Sequence, residues 1–600
     1  MSFKAPLKDM LFALEHVADL QSVAKLPGFE DAGLDTAQAV LEECAKLNEG
    51  VVAPLNWTGD TQPSTLSNGV VKTTPGFREA FKQFAEGGWQ GVQHPVEFGG
   101  QGLPKAIATP CIEILNAANL SFALCPLLTD GAIEALLTAG SDEQKKRYVP
   151  NLISGRWTGT MNLTEPQAGS DLSLVRAKAV PQADGSYRVF GQKIFITFGE
   201  HDMADNIVHL VLARTPDAPE GVKGISLFIV PKFLFDDAGE PLKRNDVWCS
   251  SIEHKLGIKA SPTAVLIYGD GKGEVGEGAI GYLVGEENRG LEYMFIMMNS
   301  ARFAVGMQGV AIAERAYQKA AAYAKERLQS RDVAGSSGPV AIVEHPDVRR
   351  MLMTMRAHTE AARALAYLAA ALSDAGHHSG DAAERKRSMA AYEYLVPIVK
   401  GWSTEMSLEV TSLGVQVHGG MGFIEETGAA QYYRDARILT IYEGTTAIQA
   451  NDLVGRKTAR DGGAVAKGLL EQARESAASL SASANADLQA IGRRLSAGCD
   501  ALASVIEFVV ANSKSDVRAV FAGSVPYLKL AGIVLSGWQI ARAAQAAASR
   551  LESGDDAGFM AAKIATARFH ADHILSQAPG LASSVVDGAA GVLALESERF

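Results

Sequence analysis

Residues 161–171 read MNLTEPQAGSD, and at this stretch the period of the sequence changes. Before it, from residue 34 to about 156, apolar positions recur at helical spacing in segments such as 36–48, 75–86, 106–116 and 141–152, parted by Gly and Pro. After it, short runs rich in β-branched and aromatic residues at 187–190, 206–212, 225–230 and 263–268 alternate with turn clusters. From Gly290 the pattern is helical again, and residues 291–331 contain no proline. The expected fold is therefore mainly α with a central β domain. Its expected divisions are an N-terminal extension at 1–35, a helical domain at 36–157, a β domain at 158–285, a second helical domain at 286–456 and a further helical domain at 457–600.

Six hundred residues, 47% hydrophobic and 21% charged, suit several globular domains and exclude disordered or disulfide-scaffold classes. Fifty-six Lys and Arg stand against 68 Asp and Glu, a net charge of -12, which disfavours a nucleic-acid binder. The tail at 457–600 holds about fourteen basic and about fourteen acidic residues, so no phosphate-neutralising surface is expected there either. Cys44, Cys111, Cys125, Cys249 and Cys499 are scattered without a CxxC pair. They read as reduced core thiols of a cytoplasmic protein, and no metal-ligand spacing is present. The start, MSFKAPLKDM, lacks the features of a secretory signal, and the apolar run 530–541 is too short for the ~20 residues of a membrane span. The only low-complexity linker expected is the Ser/Ala-rich segment 476–486.

Two overlapping GxGxxG matches, Gly271/Gly273/Gly276 and Gly276/Gly278/Gly281, invite a dinucleotide reading. A phosphate-binding turn needs a helix N-terminus directly after its glycines, and residues 279–284 read as a strand, so a plain β-turn is expected. The chemistry is carried elsewhere: by MNLTEPQAGSD, by QKIFIT at 192–197, by Asn299-Ser-Ala-Arg302 with Arg327 and Gln329 beyond, and by residues 416–449 with VHGGMGF, YYRDARIL and IYEGTTAIQ.

Taken together and in this order, these motifs resemble the acyl-CoA dehydrogenase family over roughly 81–457. The long tail and the N-terminal extension are similar to its branch of roughly 600-residue members, which includes fatty acyl-CoA and 3-methylmercaptopropionyl-CoA dehydrogenases. The resemblance implies a helical N-terminal domain, a β-barrel-like middle domain and a four-helix-bundle-type C-terminal domain, with the tail as an additional helical domain. It implies removal of a proton from Cα and a hydride from Cβ of an acyl thioester, with FAD as hydride acceptor because no side chain accepts a hydride well.

By that resemblance Glu443 is the catalytic base, and its site must exclude water to raise its proton affinity. Met161, Leu163, Thr164, Gly169 and Ser170 would meet the flavin from one loop, and Phe195, Ile196 and Thr197 from the next strand. Arg327, Gln329, Gln416, Gly419, Gly420 and Thr445 would hold the rest of the FAD, partly across a subunit interface. Ser170, Asn299, Arg302, Tyr442 and Gly444 would contact the substrate. Departures from the family pattern are Phe195 for a tryptophan, Ser330 for an aromatic residue, Pro346 for a glutamine and Ala447 in the catalytic loop. The expected substrates are medium- to long-chain acyl-CoAs, with 3-methylmercaptopropionyl-CoA as the alternative. The expected partners are an electron-transfer flavoprotein and a second copy of the chain in a homodimer, with the tail covering the surface a further dimer would occupy. An acyl-CoA oxidase and a DNA-associated flavoprotein of the same fold are the competing readings.

Overall fold

The computed structural model describes residues 3–600. Helix α1 (Leu7–His16) opens the chain. The first helical domain ends on α2 (Lys105–Ala118), α3 (Leu120–Ala139) and α4 (Asp142–Ile153). Helix α4 begins at a capping box in which Ser141 and Gln144 satisfy each other's backbone N–H. Helix α3 is apolar all round because it is a core helix, buried against the β domain and the long helix that follows it.

Eight strands form the central sheet: β1 (Trp157–Asn162), β2 (Lys178–Pro181), β3 (Tyr187–Thr197), β4 (Asn206–Ala213), β5 (Ser226–Pro231), β6 (Val247–Ile252), β7 (Thr263–Tyr268) and β8 (Ala279–Val284). Their order is β6-β7-β3-β8-β5-β4-β1, with β2 also on β3. Only β1 and β4 run parallel. Strand β8 occupies the expected 279–284, so the glycine-rich run before it leads into a strand and the dinucleotide reading falls.

Helices α5 (Gly290–Glu326), α6 (Pro346–His378) and α7 (Ala382–His418) form the second helical domain. Helix α5 stops at Glu326, five residues before the expected end, because the chain turns at Arg327 and pairs Gln329 with Val340. A Cβ on Gly306 or Gly309 would lie 2.6 Å from Val399 or Ser403 of α7, so these glycines let the two long helices touch backbone to backbone. A short helix, α8 (Thr446–Asp452), follows the YEGT motif at 442–445.

The tail consists of α9 (Ala464–Ser481), α10 (Ala486–Asn512), α11 (Ser524–Glu552), α12 (Ala557–Phe569) and shorter turns. The linker expected at 476–486 is corrected: α9 runs through Ser481, since its Ala and Leu side chains at 473, 477 and 480 bury against the neighbouring helices, and only 482–485 connect. Helix α11 packs on α7, where a Cβ at Gly532 would enter the Trp402 ring. Buried ions tie the tail to the rest. Arg363 of α6 meets Asp9 of α1 (2.7 Å), Glu113 of α2 (2.6 Å) and Glu314 of α5 (2.8 Å), while Lys563 of α12 bonds Asp9 and Glu360. Burial alone would raise the Asp9 carboxyl, but Lys563 and Arg363 hold it down at about 2.

Candidate active site

The MNLTEPQAGSD stretch leaves β1 as a loop sewn to β3. Glu165 accepts from the backbone N–H groups of Arg176 (2.7 Å) and Ala177 (3.0 Å) and pairs with the buried Lys193 (2.8 Å), which also donates to Leu163 O (3.0 Å). The Ile194 N–H donates to Thr164 O at 2.9 Å. Burial pushes the Lys193 ammonium down to about 8, with Glu165 opposing it. Neither Glu165 nor Lys193 was singled out from the sequence, yet this pair presents Leu163 and Thr164 to the cavity.

Strand β3 continues the same wall through a bulge. Ile196 faces Ala264 and Lys193 faces Leu266, which leaves Ile194 and Phe195 opposite Val265 alone. Phe195 takes φ = +60°, and its side chain is 59% exposed, an unusual state for a large aromatic unless something covers it.

The YEGT motif at 442–445 lies against both α5 and α7, through Gln308 at Tyr442 and Lys400 at Gly444. Glu443 and Gly444 both have positive φ, +55° and +86°. At Gly444 a Cβ would come within 2.7 Å of the Gln449 amide, so glycine is required on both counts. At Glu443 the left-handed backbone costs energy and persists only because its surroundings impose it. Those surroundings are Lys400, whose buried Nζ donates to Leu439 O (2.9 Å) and Gly444 O (2.6 Å), and Gln449, whose amide lies 3.3 Å from the Glu443 and Gly444 carbonyls. Thr445 caps α8 by accepting from the Ile448 N–H (3.3 Å).

The Glu443 carboxylate accepts no hydrogen bond from the described residues. Burial raises its pKa to about 7, and the nearby Lys400 and Arg302 charges act against a still larger rise. Burial in turn lowers Lys400 to about 8 and lowers Arg302, whose nearest acidic partner is Asp452 at 3.9 Å. A carboxylate with proton affinity near neutrality, no hydrogen-bond donor of its own and an open space in front of it is suited to take a proton from a ligand.

That space is a cavity of about 1110 Å³. Of the residues expected at the site, Met161, Leu163, Thr164, Gly169, Ser170, Phe195, Ile196, Thr197, Arg302, Tyr442, Glu443, Gly444 and Thr445 all line it. Asn299 does not: the residues of α5 on the wall are Leu291, Phe295, Met298 and Arg302, and Asn299 lies on the exposed side of the helix. Arg327, Gln329, Gln416, Gly419 and Gly420 are exposed and outside the cavity. They gather at one end of the bundle, where Tyr323 of α5 stacks on His418 of α7 at 4.4 Å, beside the exposed apolar side chains of Leu328, Met421, Phe423 and Ile424. Sequence reasoning missed Lys400, Gln449 and the cations Lys255, Arg437 and Arg456 on the cavity wall. A lysine inside an otherwise apolar helical stretch, YLVPIVKGW, was the available signal for Lys400.

The cavity fits a large ligand that is both planar and anionic. The exposed Phe195 ring, with Leu256 (62% exposed) and Ile441 (47% exposed) also on the wall, suits an aromatic ring system, and Arg437, Arg456 and Lys255 suit phosphate groups. Arg302, also on the wall, has a buried Nε with no hydrogen-bond partner.

Comparison with known proteins agrees with this arrangement. Residues 69–156, 160–270 and 288–457 match the families described as acyl-CoA dehydrogenase N-terminal, middle and C-terminal domains, and residues 469–596 match one described as acetyl-CoA dehydrogenase C-terminal like. The chain is 53% identical over 588 residues to a 3-methylmercaptopropionyl-CoA dehydrogenase of Ruegeria pomeroyi, covering 98% of each. It is 35% identical to a broad-specificity linear acyl-CoA dehydrogenase of Mycobacterium tuberculosis, covering 96% of this chain and 95% of that one. Among solved structures, an acyl-CoA dehydrogenase from Bacillus anthracis complexed with FAD shares the fold, with a TM-score of 0.73 at 22% identity over 94% of this chain and 90% of that one. A full-length relative at this identity, the matched domains in order and the carboxylate at the cavity wall together establish that the chain belongs to the acyl-CoA dehydrogenase family.

Proposed function

We propose that this protein catalyses FAD-dependent α,β-dehydrogenation of an acyl-CoA thioester to the trans-2-enoyl-CoA, with Glu443 removing the α proton. The observation that carries the reading is Glu443 itself: half-buried near two cations, held at positive φ on a wall of the large cavity and raised to about 7. FAD, when bound, supplies the hydride acceptor for the β position. Thr164, Ser170 and Thr197 offer hydroxyls to the cofactor, and Phe195 an aromatic face. Arg302 and the backbone at Gly444 sit beside the base, where they would orient the thioester and favour charge on its carbonyl. The Arg327, Gln329, Gln416, Gly419 and Gly420 cluster, with its exposed apolar neighbours, is suited to the adenine half of an FAD bound by a second subunit.

The substrate we favour is 3-methylmercaptopropionyl-CoA or a short acyl-CoA of similar length, in place of the medium to long chains expected from the sequence. The 53% identical relative supports this choice. An electron-transfer flavoprotein would reoxidise the flavin. A homodimer is favoured because the tail already covers the outer faces of α6 and α7. Steady-state kcat/KM with an electron-transfer flavoprotein, across saturated acyl-CoAs and 3-methylmercaptopropionyl-CoA, tests the function. Short substrates and the thioether should lead by at least tenfold. Absence of flavin bleaching by any acyl-CoA under anaerobic conditions would reject it.

A further inference from the structure

Tyr442 and two polar side chains behind it form a row that the chemistry of Glu443 does not require. The Tyr442 hydroxyl donates to Gln308 Oε1, Gln308 Nε2 donates to Asn116 Oδ1 at 2.9 Å, and Asn116 Nδ2 donates to the Ile112 carbonyl at 2.8 Å. Gln308 and Asn116 are buried, 0% and 2% exposed, between the apolar walls of α5 and α2. A polar row in such a place costs stability unless every member is satisfied, and here each finds its partner and is thereby fixed.

Tyr442 lines the large cavity, whereas Asn116 lines a second, small chamber of about 60 Å³ with Cys111, Leu115, Ala123, Leu127 and Ala304. The two spaces lie side by side along the same helices. On α3, Leu124 and Leu128 face the large cavity while Ala123 and Leu127 face the chamber; on α5, Arg302 faces the first and Ala304 the second.

We propose that the Tyr442–Gln308–Asn116 row is a bar that closes the acyl end of the cavity and makes the enzyme selective for short acyl thioesters. The proposal rests on reading the large cavity as the acyl-CoA site. A chain too long for the space before the bar must break hydrogen bonds that have no water to replace them, or leave methylenes unburied. Each methylene denied a place lowers transition-state binding by at least about threefold.

The test compares kcat/KM for butyryl-CoA and dodecanoyl-CoA in five proteins, the wild type and four variants, with FAD content measured for each. The wild type should favour the shorter chain by at least tenfold. Gln308→Ala removes the middle of the bar and joins the two spaces, so the dodecanoyl-to-butyryl ratio should rise at least tenfold; Asn116→Ala should raise it in the same direction. Ala304→Leu, which fills only the chamber, should leave the wild-type ratio unchanged and cancel the gain when combined with Gln308→Ala. A wild type that turns over both chains equally well overturns the proposal, even if no variant folds. So does a flavin-loaded Gln308→Ala protein whose ratio stays within twofold of the wild type. If short and long chains alike fail to reduce the wild-type flavin, the functional reading itself fails and the bar falls with it; activity on acyl-CoAs with an unmoved ratio sinks the bar alone.

Discussion

The Asp246 carboxylate accepts hydrogen bonds from four backbone N–H groups, those of Gly271 (2.8 Å), Lys272 (2.9 Å), Gly273 (3.2 Å) and Gly278 (2.9 Å), whereas the Glu443 carboxylate accepts none from the described residues. Both acids meet glycine-containing loops: Asp246, directly before β6, is wrapped by residues 271–278, and Glu443 precedes Gly444. The glycine-rich run that imitates a phosphate-binding turn does cradle an anion, but the anion is the protein's own. Backbone donors saturate Asp246 and leave it with a structural task. Glu443 has two cations nearby and no donor, so burial dominates and its proton affinity climbs toward neutrality. The difference between the two carboxylates is hydrogen-bond saturation, not the glycines around them.

The largest expected effect concerns rate. Glu443→Gln keeps the shape and removes the proton acceptor, so anaerobic flavin bleaching by substrate should fall more than ~10⁴-fold with FAD still bound, beyond the usual range for a general base because the site excludes a substitute water. Bleaching within tenfold of the wild-type rate would show that another group takes the proton. No such loss is expected of Asp246→Asn, whose cost is in stability.

Stability should move in opposite directions at the two acids. Asp246→Asn turns an amide NH₂ toward N–H donors and should cost about 2–4 kcal/mol. Glu443→Gln should instead stabilise the fold at pH 8 by about 1–3 kcal/mol. The sign follows from the raised pKa. Ionising Glu443 in the folded protein is unfavourable, and that penalty grows as pH rises from about 4.5 to about 7, so the gain from Gln should vanish near pH 5. Urea unfolding at both pH values decides, and destabilisation by both substitutions would erase the contrast.

A smaller effect isolates Lys400. Its charge lowers the Glu443 pKa against burial, so Lys400→Met should move the acid limb of the kcat/KM profile upward by about one unit from its wild-type position near 7. Lys400→Arg should keep the limb in place while perturbing the loop. An unmoved limb in the Met variant would reduce Lys400 to a structural anchor.

The motifs carried much of the site because their requirements are local. TEPQAGSD and QKIFIT place Thr164, Ser170, Phe195 and Thr197 on one wall, and YEGT places Glu443 and Gly444 on another. Asn299 stays off the wall for an equally plain reason: it lies four residues from Phe295 and three from Arg302 and so neighbours both on the helix surface, but the cavity meets only part of that surface and Asn299 is on its exposed side. Residues 476–481 looked like a linker because Ser and Ala are small, but their burial partners lie in other helices.

By itself, then, the sequence determined the change of period at residue 158, the strand that disqualifies the GxGxxG run and the YEGT motif that carries Glu443, all of which depend on neighbours along the chain. Tertiary structure alone decided that Lys400 and Arg302 lie near Glu443, that Asp246 fills the glycine loop, that Gln308 links Tyr442 to Asn116 and that the tail lies on α7. Those outcomes depend on desolvation, charge and hydrogen bonding among residues far apart in sequence. Such effects arise only once packing has excluded water and set the distances.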